Sequence, residues 1–166
     1  MFVEVVQHPL QPIYNKESSV LILGTMPSPA SREAGFYYAH PQNRFWRVLA
    51  GLFDESVPQT IDERTAFALR HHIALWDVLA SCEIAGASDA SIANPLPNNL
   101  AVVFDNAPIR CVFTTGKKAA QLYQCFDAPL YPNVTHKALP STSSANAAMS
   151  LDDLVEAYQA ILRELM

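Results

Sequence analysis

The chain is short of cysteine, of positive charge and of long apolar runs, and each shortage closes off a class of protein. Its three cysteines, Cys82, Cys111 and Cys125, are scattered, odd in number and without a CxxC spacing. Such a set offers neither a disulfide frame nor a zinc cage nor the thiolates of an ordinary iron–sulfur cluster. It reads as reduced intracellular thiols, so a cytoplasmic protein without metal or cofactor is expected. No apolar stretch is long enough to span a bilayer, and the opening Met1-Phe2-Val3-Glu4-Val5-Val6 is too short, and too interrupted by Glu4, for a signal peptide. A net charge of −5 argues against broad attraction to nucleic acid. It leaves room for a local footprint from Arg32, Arg44, Arg47, Lys117 and Lys118, each equally readable as solvated surface charge. Repeats, low-complexity tracts and linkers are also missing. With 166 residues, half of them apolar, the chain is expected to form a single domain over 1–166 with a sizeable core, and to act as a monomer away from membranes.

What is present is an alternation of strand and helix patterns. Apolar runs at 20–23, 73–76, 111–114 and 134–139 predict four buried strands. Phe45, Val48, Leu49, Leu52 and Phe53 form one stripe of a helix beginning near Asn43. Thr60 and Glu63 have the capping-box spacing and open a helix through about His71. Further helices are expected from Pro97 to about Asn106 and from Gly116 to about Cys125. Ser150 caps a last one carrying Leu151, Leu154, Val155, Tyr158, Ile161, Leu162 and Leu165. The expected class is α/β: a three-layer α/β/α arrangement around a four-stranded, mostly parallel central sheet.

In such a sheet, the loops leaving the carboxyl ends of the strands share one edge. That edge collects residues 24–43, 77–92, 115–118 and 139–146. The first and last are built from proline, serine and small residues, a composition that lets backbone N–H groups approach a phosphate or a base. The first also carries Tyr37, Tyr38, His40 and Asn43, more amide, hydroxyl and aromatic groups than a connection needs.

Gly24-Thr25-Met26-Pro27-Ser28, Tyr37 through Trp46, Ala74-Leu75-Trp76-Asp77-Val78 and Leu139 through Asn146 together resemble the uracil-DNA glycosylase superfamily. Within it, the pattern is most similar to the bacterial and archaeal hypoxanthine-DNA (deoxyinosine) glycosylase branch. The resemblance spans most of the chain. It implies a four-stranded parallel sheet between helices, and hydrolysis of the N-glycosidic bond of a deaminated base in DNA to leave an abasic site. Two departures matter. Met26 stands where the uracil-specific branches place an Asp or Asn that positions water, and Leu139 stands where the classical branch has a histidine. Both speak against strong uracil excision. For the hypoxanthine branch, the resemblance assigns the catalytic amide to Asn43.

The chemistry accommodates this. Glycoside cleavage commonly uses paired carboxylates, yet the first loop offers only Glu33. Water positioning by an amide such as Asn43 and stabilisation of developing charge would then carry the reaction. Asn43 also suits an N-cap of the following helix. Tyr38 takes the place of an aromatic stacked on the extruded base, or of core packing. Gly24, Thr25, Met26, His40 and Asp77 complete the expected base pocket; His40 and Asp77 would serve equally as loop structure. Pro27, Ser28, Ser141, Thr142, Ser143, Ser144, Asn146 and Lys117 are the expected DNA contacts, although the serines would look the same as turn residues. With no lysine in the first motif, a Schiff-base mechanism is not suggested. The rivals are a mismatch-type uracil or thymine glycosylase, a noncatalytic DNA- or nucleotide-binding module, and a nucleoside hydrolase.

Overall fold

A computed structural model describes residues 3–165. Its central sheet is built from β2 (Val20–Gly24), β3 (Ile73–Asp77), β6 (Cys111–Thr115) and β7 (Thr135–Leu139), in the order β3-β2-β6-β7 with every pairing parallel. The strands β2, β3 and β6 are buried along their whole length. A strand with no solvated face must be covered on both sides, which is why these segments read as continuous apolar runs.

The covering helices are α2 (Phe45–Phe53), α3 (Ile61–Arg70), α5 (Lys117–Phe126) and α6 (Leu151–Leu165). Helix α6 packs on α2 and β2, α3 on β3, and α5 on β6. Local signals set their ends. Thr60 and Glu63 form a reciprocal capping box, and Ser150 Oγ accepts from the Asp153 N–H at 3.1 Å.

Three elements depart from the expectation. A second, antiparallel sheet, β1-β4-β5, is formed by β1 (Glu4–Gln7), β4 (Leu79–Ile84) and β5 (Ala93–Pro97). The helix expected from Pro97 is therefore corrected: Pro97 ends β5, and only α4 (Ala101–Phe104) is helical. Pro95 and Pro97 are tolerated because β5 is an edge strand. The 24–43 loop also contains a short helix, α1 (Pro29–Ala34), capped by Ser28 with Pro29 in its first turn.

The parallel strands deliver their carboxyl ends to one edge: Gly24, Asp77, Thr115 and Leu139. The second sheet grows directly from β3, since β4 starts two residues after Asp77 and draws β1 alongside. It walls one side of that edge.

Candidate active site

A cavity of about 350 Å³ opens at this edge, within the size range of small-ligand sites. Its floor is the end of β2. A Cβ on Gly24 would lie 2.5 Å from Asp77 Oδ1 and 3.4 Å from the Tyr38 hydroxyl, so only glycine lets all three converge. Asp77 is buried, and its Oδ2 lies 2.7 Å from His8 Nε2. Burial pushes this carboxyl above the usual carboxylate range, and the hydrogen bond from His8 opposes that rise.

Tyr38 stacks on Phe45 with ring centroids 3.7 Å apart and planes 12° apart. Its hydroxyl pairs with Thr115 Oγ1 at 3.3 Å. The residue sits at φ 53°, a left-handed conformation costly for a bulky side chain. Stacking and the hydroxyl bond hold it there, and it lines the cavity. Tyr37 belongs to the core: its hydroxyl donates to the Gln11 carbonyl at 2.6 Å.

Asn43 lines the same cavity. Its Oδ1 accepts the Phe45 N–H at 2.9 Å and the Thr142 hydroxyl at 2.8 Å. An N–H can only donate, so these bonds fix the amide orientation and leave Nδ2 as a donor without a partner among the described residues. The N-cap position itself is Arg44, without a side-chain cap, so Asn43 braces the helix entry one residue earlier. The Thr142 bond joins loops 99 residues apart in sequence.

Arg44 fastens the same junction. Its guanidinium donates to the carbonyls of Ser143 and Asn146 at 3.0 Å and to that of Met149, while its backbone N–H donates to the Thr142 carbonyl. The expected phosphate-facing or solvated role for Arg44 is corrected accordingly: its donors are spent inside the protein.

Gly24, Thr25, Met26, Pro27, Ser28, Tyr38, Asp77, Ser141 and Ser143 all border the cavity. Others stand apart. His40 is exposed and does not line the cavity; its Nδ1 accepts the Gln42 N–H and its carbonyl the Asn43 N–H, so it shapes the turn rather than a base contact. Thr142 is only 1% exposed and is corrected from DNA contact to a brace on Asn43. Asn146 donates to the Ser141 carbonyl, again holding the loop. Ser144 is exposed beside Arg47 on an adjoining surface. Lys117 lines an open groove that shares Asp89, Ser141 and Ala145 with the cavity.

Sequence reasoning missed His8 and Asp89. Asp89 belongs to the expected 77–92 edge loop, and that placement was the available signal. It is exposed yet borders the cavity, where partial desolvation raises its carboxyl and the Thr25 hydroxyl and Lys118 oppose the rise. Glu33, the carboxylate noted in the first loop, is exposed and outside the cavity lining.

A parallel sheet flanked by helices, with an amide, an aromatic plane and two carboxylates gathered at its carboxyl edge, defines a three-layer α/β/α protein with a crevice at the strand ends. Residues 11–165 match the Uracil DNA glycosylase superfamily, and the chain belongs to that family. It is 32% identical over 137 residues to the hypoxanthine DNA glycosylase of Methanosarcina barkeri, covering 81% of this chain and 85% of that one. With the hypoxanthine DNA glycosylase of Methanosarcina acetivorans it shares 29% identity over 153 residues, 91% of this chain and 94% of the relative. The fold matches the solution NMR structure of a candidate uracil DNA glycosylase from Methanosarcina acetivorans with a TM-score of 0.81, at 26% identity, over 98% of this chain and 99% of that one.

Proposed function

We propose that the protein is a monofunctional DNA glycosylase that hydrolyses the N-glycosidic bond of deaminated bases, hypoxanthine in deoxyinosine foremost, leaving an abasic site. The observation that carries this reading is the 2.8 Å bond from Thr142 to Asn43, which joins both signature loops around one cavity. The relatives named as hypoxanthine DNA glycosylases support the choice of base. So does Met26, a half-buried apolar side chain in the cavity wall where an Asp or Asn would favour uracil.

In this reading the target nucleotide swings out of the duplex and its base recovers stacking against Tyr38. As the glycosidic bond breaks, the sugar gains oxocarbenium character and water must sit at its anomeric carbon. Asn43 Nδ2 donates to one lone pair of that water and leaves the other aimed at the carbon. The amide orients the water without deprotonating it: the base departs with the glycosidic electron pair as an anion, and the proton shed as the water bonds to the anomeric carbon passes to that departing base through solvent. Ser28, Ser141, Ser143 and Ser144, together with Lys117, are proposed to hold the strand through its phosphates, the enzyme acting as a monomer in the cytoplasm.

Single-turnover excision on oligonucleotides carrying inosine, uracil or xanthine, at two salt concentrations, tests the reading. Inosine should be processed fastest, more slowly at high salt, and Asn43→Ala should lower its rate by roughly 10²–10³. Uracil excised far faster than inosine, or an unchanged Asn43→Ala rate, would overturn it.

A further inference from the structure

His8 reaches the cavity floor through the fold's less conspicuous sheet. Its backbone N–H donates to the Ala80 carbonyl at 2.7 Å, extending the β1–β4 pairing to the start of β4. The Leu10 N–H donates to His8 Nδ1 at 3.2 Å. That contact places the ring proton on Nε2, so His8 is the donor in the 2.7 Å bond to Asp77 Oδ2. Both side chains are nearly sealed, at 3% and 6% exposure. Asp77 Oδ1, by contrast, borders the cavity and meets no donor among the described residues. One oxygen is therefore committed to the imidazole, and the other is presented to whatever enters.

We propose that the His8–Asp77 pair is the base-selecting element of the site: it presents a fixed hydrogen-bond acceptor that admits bases carrying a ring N–H at that edge and rejects adenine. Hypoxanthine carries a proton on N1, where adenine has a lone pair. Deamination thus converts an acceptor into a donor at the atom the carboxylate can sense, and a mismatched acceptor pair leaves a buried polar group unpaired. Guanine also has the N1 proton, so its exclusion falls to other walls of the cavity. The inference rests on the glycosylase reading above and adds a positioning residue, His8, that no motif of the first loop contains.

The groups facing Asp77 are His8 from the segment after β1, Tyr37 and Tyr38 from the first loop, and Asp89 from the 77–92 loop. His8 favours the ionised carboxylate and burial opposes it, while the charge on Asp77 in turn raises the hydroxyls of Tyr37 and Tyr38 and the carboxyl of Asp89. Removing the donor would raise the Asp77 carboxyl further, and wherever it takes up a proton the acceptor becomes a donor. Inosine excision by His8→Leu should then fall about tenfold or more at the acid end of the profile and climb back as pH rises, its acidic limb displaced to higher pH than in wild type. His8→Gln, which can still donate to Oδ2, should keep the wild-type profile. His8→Asn, which can accept from Leu10 but falls short of Asp77, should behave as His8→Leu. Asp77→Asn, with its oxygen held by His8 and its NH₂ toward the base, should lose about 10²-fold or more at every pH.

The experiment is single-turnover excision of deoxyinosine from a duplex oligonucleotide between pH 5.5 and 9.5, with thermal unfolding of each variant alongside. An alkaline-shifted acidic limb in His8→Leu and His8→Asn, restored in His8→Gln, supports the pair. A pH-independent loss in the His8 variants, or full activity in Asp77→Asn, overturns it while leaving the glycosylase reading intact. Wild type that releases no hypoxanthine removes the reading itself.

Discussion

Asn43 is held by two neighbours that act on the same atom. Because the Phe45 N–H and the Thr142 hydroxyl both donate to Oδ1, loss of either weakens the hold on the amide and raises the share of conformers that present its oxygen to the cavity. Thr142→Val keeps the buried volume and deletes one donor. Its expected effect is a fall in inosine excision of about tenfold, smaller than that of Asn43→Ala, with little loss of thermal stability. Asn43→Ala also removes the acceptor of the Phe45 N–H at the helix entry, and losing a hydrogen bond of this kind costs about 1 kcal/mol. The double variant should be no slower than Asn43→Ala alone, since Thr142 acts through Asn43. Single-turnover rates on one inosine duplex check all three, and additive losses would mean that Thr142 has its own role. Gly24→Ala is the sharper residue-scale test of the floor. Its new methyl meets a carboxylate that His8 holds in place, so excision and melting temperature should both drop.

At the level of elements, the second loop carries its own fastening. Arg44 closes residues 142–149 onto the start of α2 through several carbonyls, and hydrogen bonds to a charged group are worth about 1.5–3 kcal/mol each. Arg44→Leu should therefore lower the melting temperature by roughly 10 °C or more and slow excision, since the loop that braces Asn43 loosens. Arg44→Lys should recover only part, because a point charge cannot span that fork of acceptors. Differential scanning calorimetry with matched rates checks it; unchanged melting in Arg44→Leu would sink the assignment. The same elements explain what was legible beforehand. The strands β2, β3 and β6 were readable because burial on both faces demands unbroken apolar runs, and α3 and α6 because their caps are local signals. The second sheet was not. Its strand β4 mixes Ala80, Ser81 and Glu83 among its apolar residues, and β5 contains two prolines, so only pairing with neighbours makes them strands. Asn43 and the serine loops could be read because they sit in motifs. His8 could not, since it meets Asp77 across 69 residues through that unread sheet. Arg44 was misread because a charge near a loop looks the same whether it faces phosphate or carbonyls.

For the molecule as a whole, one buried group lies far from the crevice and sets how stability responds to pH. Asp127 follows α5, is 2% exposed, and its Oδ2 has no hydrogen-bond partner among the described residues. Burial pushes its carboxyl up from 3.8 to about 7. Its position just past the carboxyl end of a helix adds the dipole's preference for a neutral group. The unfolded chain releases this proton near 3.8 and the folded chain near 7, so between those values the folded state binds more protons. Raising pH across that window therefore favours unfolding, and this contribution is fully lost above pH 7. Asp127→Asn removes the titration. The variant should gain melting temperature over wild type at pH 8, by about 2–4 °C for each kcal/mol relieved in a chain of this size, and the gain should shrink steadily toward pH 5. Excision kinetics at neutral pH should not change, because Asp127 does not line the cavity. Melting curves of both proteins at pH 5, 6, 7 and 8 decide the matter: a difference constant across the series would show that the carboxyl titrates alike in the folded and unfolded chain.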